Sequence, residues 1–168
     1  MQAGTLFFFC GKMGAGKSTQ AGSLARKSNA VLLSEDEWLA SLYPGKILSL
    51  QDYVKYSGLL KPQMKALVQS ILATGTSVVM DFPANTIAQR EWFRGVFDEV
   101  GAPHQILYLD VPDEVCLQRI ALRRQEQPQR AKTDTPEMFD AMAQYFTPPT
   151  QKEGFNVKTV LGAPQGGR

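Results

Sequence analysis

Histidine is almost missing from this sequence: His104 is the single copy in 168 residues. Cysteine is nearly as scarce, with only Cys10 and Cys116. No Cys/His cluster with metal-ligand spacing can be assembled from these, which excludes a zinc centre. Cys10 lies in an apolar run and Cys116 in a helical pattern, so both read as buried thiols. His104 opens an expected strand and reads as structural. An excess of one charge is also lacking: 18 Lys and Arg stand against 16 Asp and Glu, a net charge of +2. That balance decides neither for nor against a polynucleotide partner. No apolar stretch reaches membrane-spanning length. Leu6 to Cys10 is too short for the apolar region of a signal peptide and runs straight into glycines. The expectation is a cytoplasmic protein with no membrane partner.

What is present is ordinary in bulk, 43% hydrophobic and 20% charged, and long enough to bury a real core in one domain covering 1–168. Strand and helix patterns alternate along it. Expected strands are Thr5 to Cys10, Ala30 to Leu33, Ser77 to Asp81, Gln105 to Val111 and Phe155 to Leu161. Expected helices run from Ser18 to Lys27, from Ser34 (in capping-box spacing with Glu37) to near Tyr43, and from Gln51 to Thr74. Others are Ile87 to Val100, Pro112 to Arg124 and Pro136 to Phe146. Pro62 either kinks the long helix or starts a second one there. This alternation implies an α/β fold with a mainly parallel sheet covered on both faces. The polar, basic stretch Gln125 to Asp134 reads as a mobile flap, and the Gly/Pro-rich tail 162–168 as frayed.

Gly11-Lys12-Met13-Gly14-Ala15-Gly16-Lys17-Ser18 fits G-x-x-x-x-G-K-[ST] in full, with an apolar strand before it and a helix after it. The glycines let backbone N–H groups turn inward toward phosphate oxygens. The following helix adds its positive end. Lys17 places a charge on the β- and γ-phosphates, and the Ser18 hydroxyl can coordinate Mg²⁺. Gly11 to Thr19 is therefore the expected binding segment for ATP or a similar nucleoside triphosphate.

Asp81 ends a hydrophobic strand, the Walker B position, where a carboxylate holds Mg²⁺ directly or through water. Phe82 follows it, where many hydrolytic ATPases carry a water-activating glutamate. No Asn/Thr-Lys-x-Asp guanine-reading motif is present either. Asp36 opens a helix after the second strand, at the edge where ligands bind in such sheets, and could accept a proton from an attacking hydroxyl. Arg119, Arg123, Arg124, Arg130 and Lys132 cluster around the flap. Arg119 and Arg123, four apart, share a helix face. A guanidinium closing over a γ-phosphoryl group stabilises its transfer, with Arg123 the first candidate and Arg119 the second.

Taken together, these residues resemble the small P-loop kinases, in particular the group described as AAA-family ATPases. That group is similar to polynucleotide 5′-hydroxyl kinase, chloramphenicol phosphotransferase and zeta toxin. The resemblance covers roughly Leu6 to Val160. It implies a five-stranded parallel sheet in the order 2-3-1-4-5, with Asp36 as the base and Asp81 ending the third strand. In it, Asp110-Val111-Pro112 leads into lid arginines at Arg119 and Arg123, the lid covering about 124–134. Asp81 to Thr86, with Gln89 and Arg90 beyond, resembles the acceptor-side loop, which makes Asp36, Asp81 and Arg90 the candidate acceptor contacts. Polynucleotide kinases carry an arginine three residues after the base, and Leu39 stands there, which disfavours a nucleic-acid acceptor. Arg90 reads either as a substitute charge or as a solvated helix residue. Trp38, Tyr43, Tyr53 and Tyr56 fall in the acceptor region and either stack on a ligand or pack helices. The leading expectation is transfer of the γ-phosphoryl of Mg-ATP to a hydroxyl of a small molecule. The alternatives are a nucleic-acid 5′-hydroxyl kinase and a slow nucleotide-binding regulator. The sequence leaves monomer or dimer open.

Overall fold

The computed structural model describes residues 2–162. In chain order the elements are β1 (Leu6–Cys10), α1 (Lys17–Ser28), β2 (Val31–Ser34), α2 (Glu35–Leu42), α3 (Leu50–Ala73) and β3 (Val78–Pro83). Then come α4 (Ile87–Asp98), β4 (His104–Asp110), α5 (Asp113–Glu126), α6 (Pro136–Ala143) and β5 (Val157–Leu161). The five strands form one parallel sheet in the order β2-β3-β1-β4-β5, the order the sequence reading expected. All but Gly162 of the tail expectation lies outside the described residues.

The central strand shows why the sequence makes this fold. Side chains alternate across a strand, and in β1 both faces are apolar. Phe8 points into one core with Leu60, Met64, Val68 and Leu72 of α3 and Phe93, Val96 and Phe97 of α4. Phe9 points into the other with Ala21 and Ala25 of α1, Cys116 and Ile120 of α5 and Phe139 of α6. Phe8 stacks on Phe93 with ring centroids 4.2 Å apart, worth about 0.5–1.5 kcal/mol beyond burial itself. His104 is part of the same packing: it stacks on Phe97 at 3.9 Å, and its Nε2 accepts the Asn156 backbone N–H. Burial, then the nearby Arg94, lowers its pKa below the usual histidine value.

Pro62 neither divides nor ends α3, which runs unbroken for 24 residues. A proline inside a helix costs about 3 kcal/mol. Leu60, Met64, Val68 and Leu72 are all buried along one stripe, and each contributes about 1.5–3 kcal/mol, so packing wins. Ser34 does not cap α2. It still belongs to β2 with extended backbone, and its side chain makes no capping bond. Instead Glu35, Asp36 and Glu37 fill the first turn of α2, where negative charge complements the helix dipole. α6 stops at Ala143, short of the expected Phe146.

Parallel pairing brings the strand ends together. Ser34 lies in register with Asp81, so the first turn of α2 starts beside that carboxylate; β3 continues through buried Phe82 to Pro83, so Asp81 lies inside the strand and not at its end as expected. β1 leads into the glycine-rich loop at the same edge. A crevice at the carboxyl ends of the strands is where open α/β sheets bind ligands.

Candidate functional site

The glycine-rich loop takes the shape its glycines allow. Gly14 and Gly16 have φ of 78° and 98°. A Cβ on Gly14 would lie 2.5 Å from the Cys116 carbonyl oxygen, so the loop closes against α5 only without a side chain there. Gly16 is the residue before α1, whose first residues are Lys17 and Ser18. The helix thus aims its free N–H groups into the loop. Asn85 steadies the entry: its Oδ1 accepts the Gly11 N–H at 2.8 Å. Asn85 is itself held, because its N–H donates to Gln89 Oε1, the residue that completes a capping box with Thr86. Sequence reasoning placed Asn85 on the acceptor side; the structure ties it to the phosphate loop.

Lys17 donates to the Gly11 carbonyl at 2.6 Å. Desolvation pulls its pKa below the usual lysine range, opposed first by Asp81 and also by Asp36. Ser18 Oγ donates to Asp81 Oδ2 at 2.8 Å. Burial raises the Asp81 pKa above the usual aspartate value, against the pull of Ser18 and Lys17, while Asp36 and Glu37 add to the rise. Burial also pushes the Cys10 thiol up to about 11, so it carries no thiolate here. Lys12 pairs with Asp113 at 2.9 Å and lies over the Phe146 ring. Among the described residues no three His, Cys, Asp or Glu side chains gather into a metal centre. Ser18 and Asp81 nonetheless fit Mg²⁺, which takes hard oxygen donors, keeps several waters and needs few protein ligands beside phosphate.

Across the crevice, Asp36 is 65% exposed and faces the flap, 3.8 Å from an Arg130 terminal nitrogen. Its neighbour Glu35, absent from the sequence expectations, is only 3% exposed. Glu35 accepts the Tyr53 hydroxyl at 2.5 Å and the Ser57 hydroxyl at 2.7 Å. Burial raises its pKa, with the two hydroxyls opposing. Tyr53 therefore serves as a helix tie. Tyr43 and Tyr56 pack on each other at 4.5 Å, and Trp38 packs against the core. Leu39 is buried in that core and offers no charge.

Arg90 requires a correction. It is neither a solvated helix residue nor a charge facing the acceptor: it is 0% exposed. Its Nε and one terminal nitrogen pair with Glu153 at 2.8 and 3.3 Å, and the other donates to the Ala84 carbonyl at 2.9 Å. Glu153 lies 63 residues away, and helical spacing gives no sign of such a partner. The Glu153 carbonyl also accepts from Arg94, so the buried charge is fully housed.

The flap also differs from expectation. Arg119 donates to the Gly14 carbonyl at 3.3 Å, on the phosphate loop itself. Arg123, the first candidate, grips Asp134 with two bonds of 2.7 and 2.9 Å. Arg130 Nε shares the same carboxylate at 2.8 Å. The stretch is thus folded on an internal carboxylate. Asp134 is 1% exposed, and an acid at the end of a basic run carried no sequence signal for this role.

The family model described as an AAA domain (AAA_33) matches residues 6–149, the span that carries the loop, both carboxylates and the flap. The chain belongs to that family. An adenylate kinase of Prochlorococcus marinus (strain AS9601) is 26% identical over 121 residues, 68% of this chain, which spans 66% of the relative's length. Among solved structures, a protein of Chloroflexus aurantiacus J-10-fl superposes with a TM-score of 0.73 at 22% identity, covering 96% of this chain and 86% of that one. The Mycobacterium tuberculosis APS kinase CysC, solved with AMPPNP and APS, gives 0.67 at 19% identity, covering 96% and 90%. At such identities the structures speak for the fold. The chain is thus an AAA_33 domain, and its fold is similar to those of these two structures.

Proposed function

We propose that this protein transfers the γ-phosphoryl group of Mg-ATP to a hydroxyl of a small-molecule acceptor. The observation that carries the reading is geometric: Ser18, next to Lys17, donates to Asp81 at 2.8 Å, and Ser34 lies in register with Asp81, so Asp36 in the first turn of α2 opens onto the same edge. A donor-side cation, a metal-side carboxylate and an acceptor-side carboxylate therefore share one space. The loop amides and Lys17 hold the phosphate tail, Lys17 exchanging its bond with the Gly11 carbonyl for phosphate oxygens. Ser18 and Asp81 would hold magnesium, which when bound neutralises charge on the phosphates. Asp36 accepts the hydroxyl proton as the acceptor oxygen bonds to Pγ. The bond from Pγ to the β–γ bridging oxygen breaks, and its electron pair leaves on the β-phosphate of ADP. Arg119 stands at the loop to stabilise the equatorial oxygens.

The acceptor side favours an uncharged alcohol over an anionic one. Asp36 and Glu37 are exposed at the opening of α2, Leu39 is apolar, and the Arg90 charge is held by Glu153. A nucleic-acid 5′-hydroxyl acceptor finds Leu39, not an arginine, three residues after Asp36, and the guanidinium that does reach Asp36, Arg130, is shared with Asp134. A second reading, in which the acceptor is itself a phosphate, draws on the relative named adenylate kinase. Slow hydrolysis without an acceptor remains the third, since Phe82 replaces a water-activating glutamate. One experiment separates them. The protein is incubated with γ-labelled Mg-ATP and, in parallel, sugars and polyols, AMP, a 5′-hydroxyl oligonucleotide, or buffer alone. Label is expected on an alcohol. Label on AMP or the oligonucleotide, or only inorganic phosphate in every tube, would overturn the proposal in favour of the matching alternative.

A further inference from the structure

Within the kinase reading, on which this inference rests, one buried carboxylate has no part in binding ATP and yet organises the flap. Asp134 sits between the end of α5 and the start of α6. It takes both nitrogens of the Arg123 fork and the Nε of Arg130. Its own N–H donates to the Arg130 carbonyl at 2.8 Å. Two guanidinium groups on one carboxylate leave the assembly with a net positive charge. The part of Arg130 not bonded to Asp134 is the part that reaches Asp36, at 3.8 Å.

We infer that Asp134 is a positioning residue: it locks Arg123 and Arg130 into one unit and thereby aims Arg130 at the acceptor hydroxyl beside Asp36. Arg123 then serves as the strut and Arg130 as the guanidinium nearest the reacting oxygen. Without the Asp134 charge, Arg123 and Arg130 repel each other, and Arg130 turns away from Asp36 into solvent. A shared buried carboxylate suits this role because a bidentate grip on Arg123 fixes direction as well as distance. Misplacement of a catalytic group by about 1 Å can cost on the order of 10² in rate.

The test is a cycle of Asp134→Asn, Arg130→Ala and the double variant, followed by ADP release from Mg-ATP with the polyol pool. Asp134→Asn is expected to lower kcat about 100-fold and to change KM for Mg-ATP by less than about 3-fold, since the loop and Lys17 hold the nucleotide. The double variant should be no slower than Arg130→Ala alone. A kcat for Asp134→Asn near that of wild type, or losses that multiply in the double variant, would overturn the inference. If Asp134→Asn melts below assay temperature, Asp134→Glu replaces it, keeping the charge on a longer arm. It is expected to fold and still lose kcat, and full activity would refute the aiming role. Trypsin gives a readout that does not need phosphate transfer, because cleavage after Arg130 requires its guanidinium to leave Asp134. The Arg130 site should be protected in wild type and cut rapidly in Asp134→Asn. Equal cutting overturns the inference; protection in wild type with no phosphoryl transfer to any acceptor would instead remove the kinase reading and leave the flap assembly standing.

Discussion

The donor side and the acceptor side of this crevice are built in opposite ways. On the donor side, Gly11 to Ser18 is one short run of chain, and the groups facing the nucleotide are mostly backbone amides shaped by glycine. On the proposed acceptor side and in the shell around it, charged groups are held by side-chain partners: Glu35 by Tyr53 and Ser57, Arg90 by Glu153, Arg123 and Arg130 by Asp134. A backbone cradle tolerates change in its neighbours, whereas side-chain pairs fail when either member goes. This contrast also explains how one loop can serve many kinases while the acceptor changes: the specificity elements can be replaced pair by pair without disturbing the phosphate grip.

The contrast can be broken experimentally, starting where the effect is largest. Lys17→Ala removes the one donor-side charge that backbone cannot supply, and kcat for ADP release should fall by about 10³. Arg90→Ala removes a fully buried guanidinium with its bonds to Glu153 and Ala84, and denaturant melts should show a loss of about 3 kcal/mol or more. A wild-type melt would mean that the pair contributes nothing, and that the acceptor side is as locally built as the loop. Asp36→Asn should reduce phosphate transfer by about 10² while Mg-ATP binding, read by calorimetry, is unchanged. Equal loss of binding would place Asp36 on the donor side instead.

The smallest effect concerns pH. Burial holds Glu35 and Asp81 protonated more tightly in the folded chain than in the unfolded one, whose values are 4.5 and 3.8. Their contribution to stability is therefore fully present below those values and is lost as pH rises through the raised ones. Glu35→Gln deletes one share of that loss, so its melting temperature should gain on wild type as pH rises above 4.5. Parallel curves would show that Glu35 is not perturbed.

Much of the site was legible in advance because its cause is local. The loop motif, the strand before it and a carboxylate at Asp81 after three apolar residues each announce themselves within a few residues, although the strand runs on past Asp81 to Pro83. The flap was legible only as a basic run. Its arginines were ranked by helix spacing, which cannot see that Asp134 occupies Arg123, or that Arg119 meets Gly14. Glu35 stood next to Asp36 in the same acidic turn, and only burial against α3 distinguishes them. Asn85 was legible only as part of an acceptor-side loop; its bond to Gly11 was not, since the two lie 74 residues apart.

By itself the sequence determined the alternating strands and helices, the sheet order that the resemblance implied, and the phosphate loop. Periodicity, glycine φ and helix polarity act over one or two turns of chain. Only the tertiary structure decided which carboxylate is buried, which arginines share Asp134 and which one reaches Asp36. Those outcomes depend on desolvation and on pairs closed across the fold, and neither is written in the spacing of neighbouring residues.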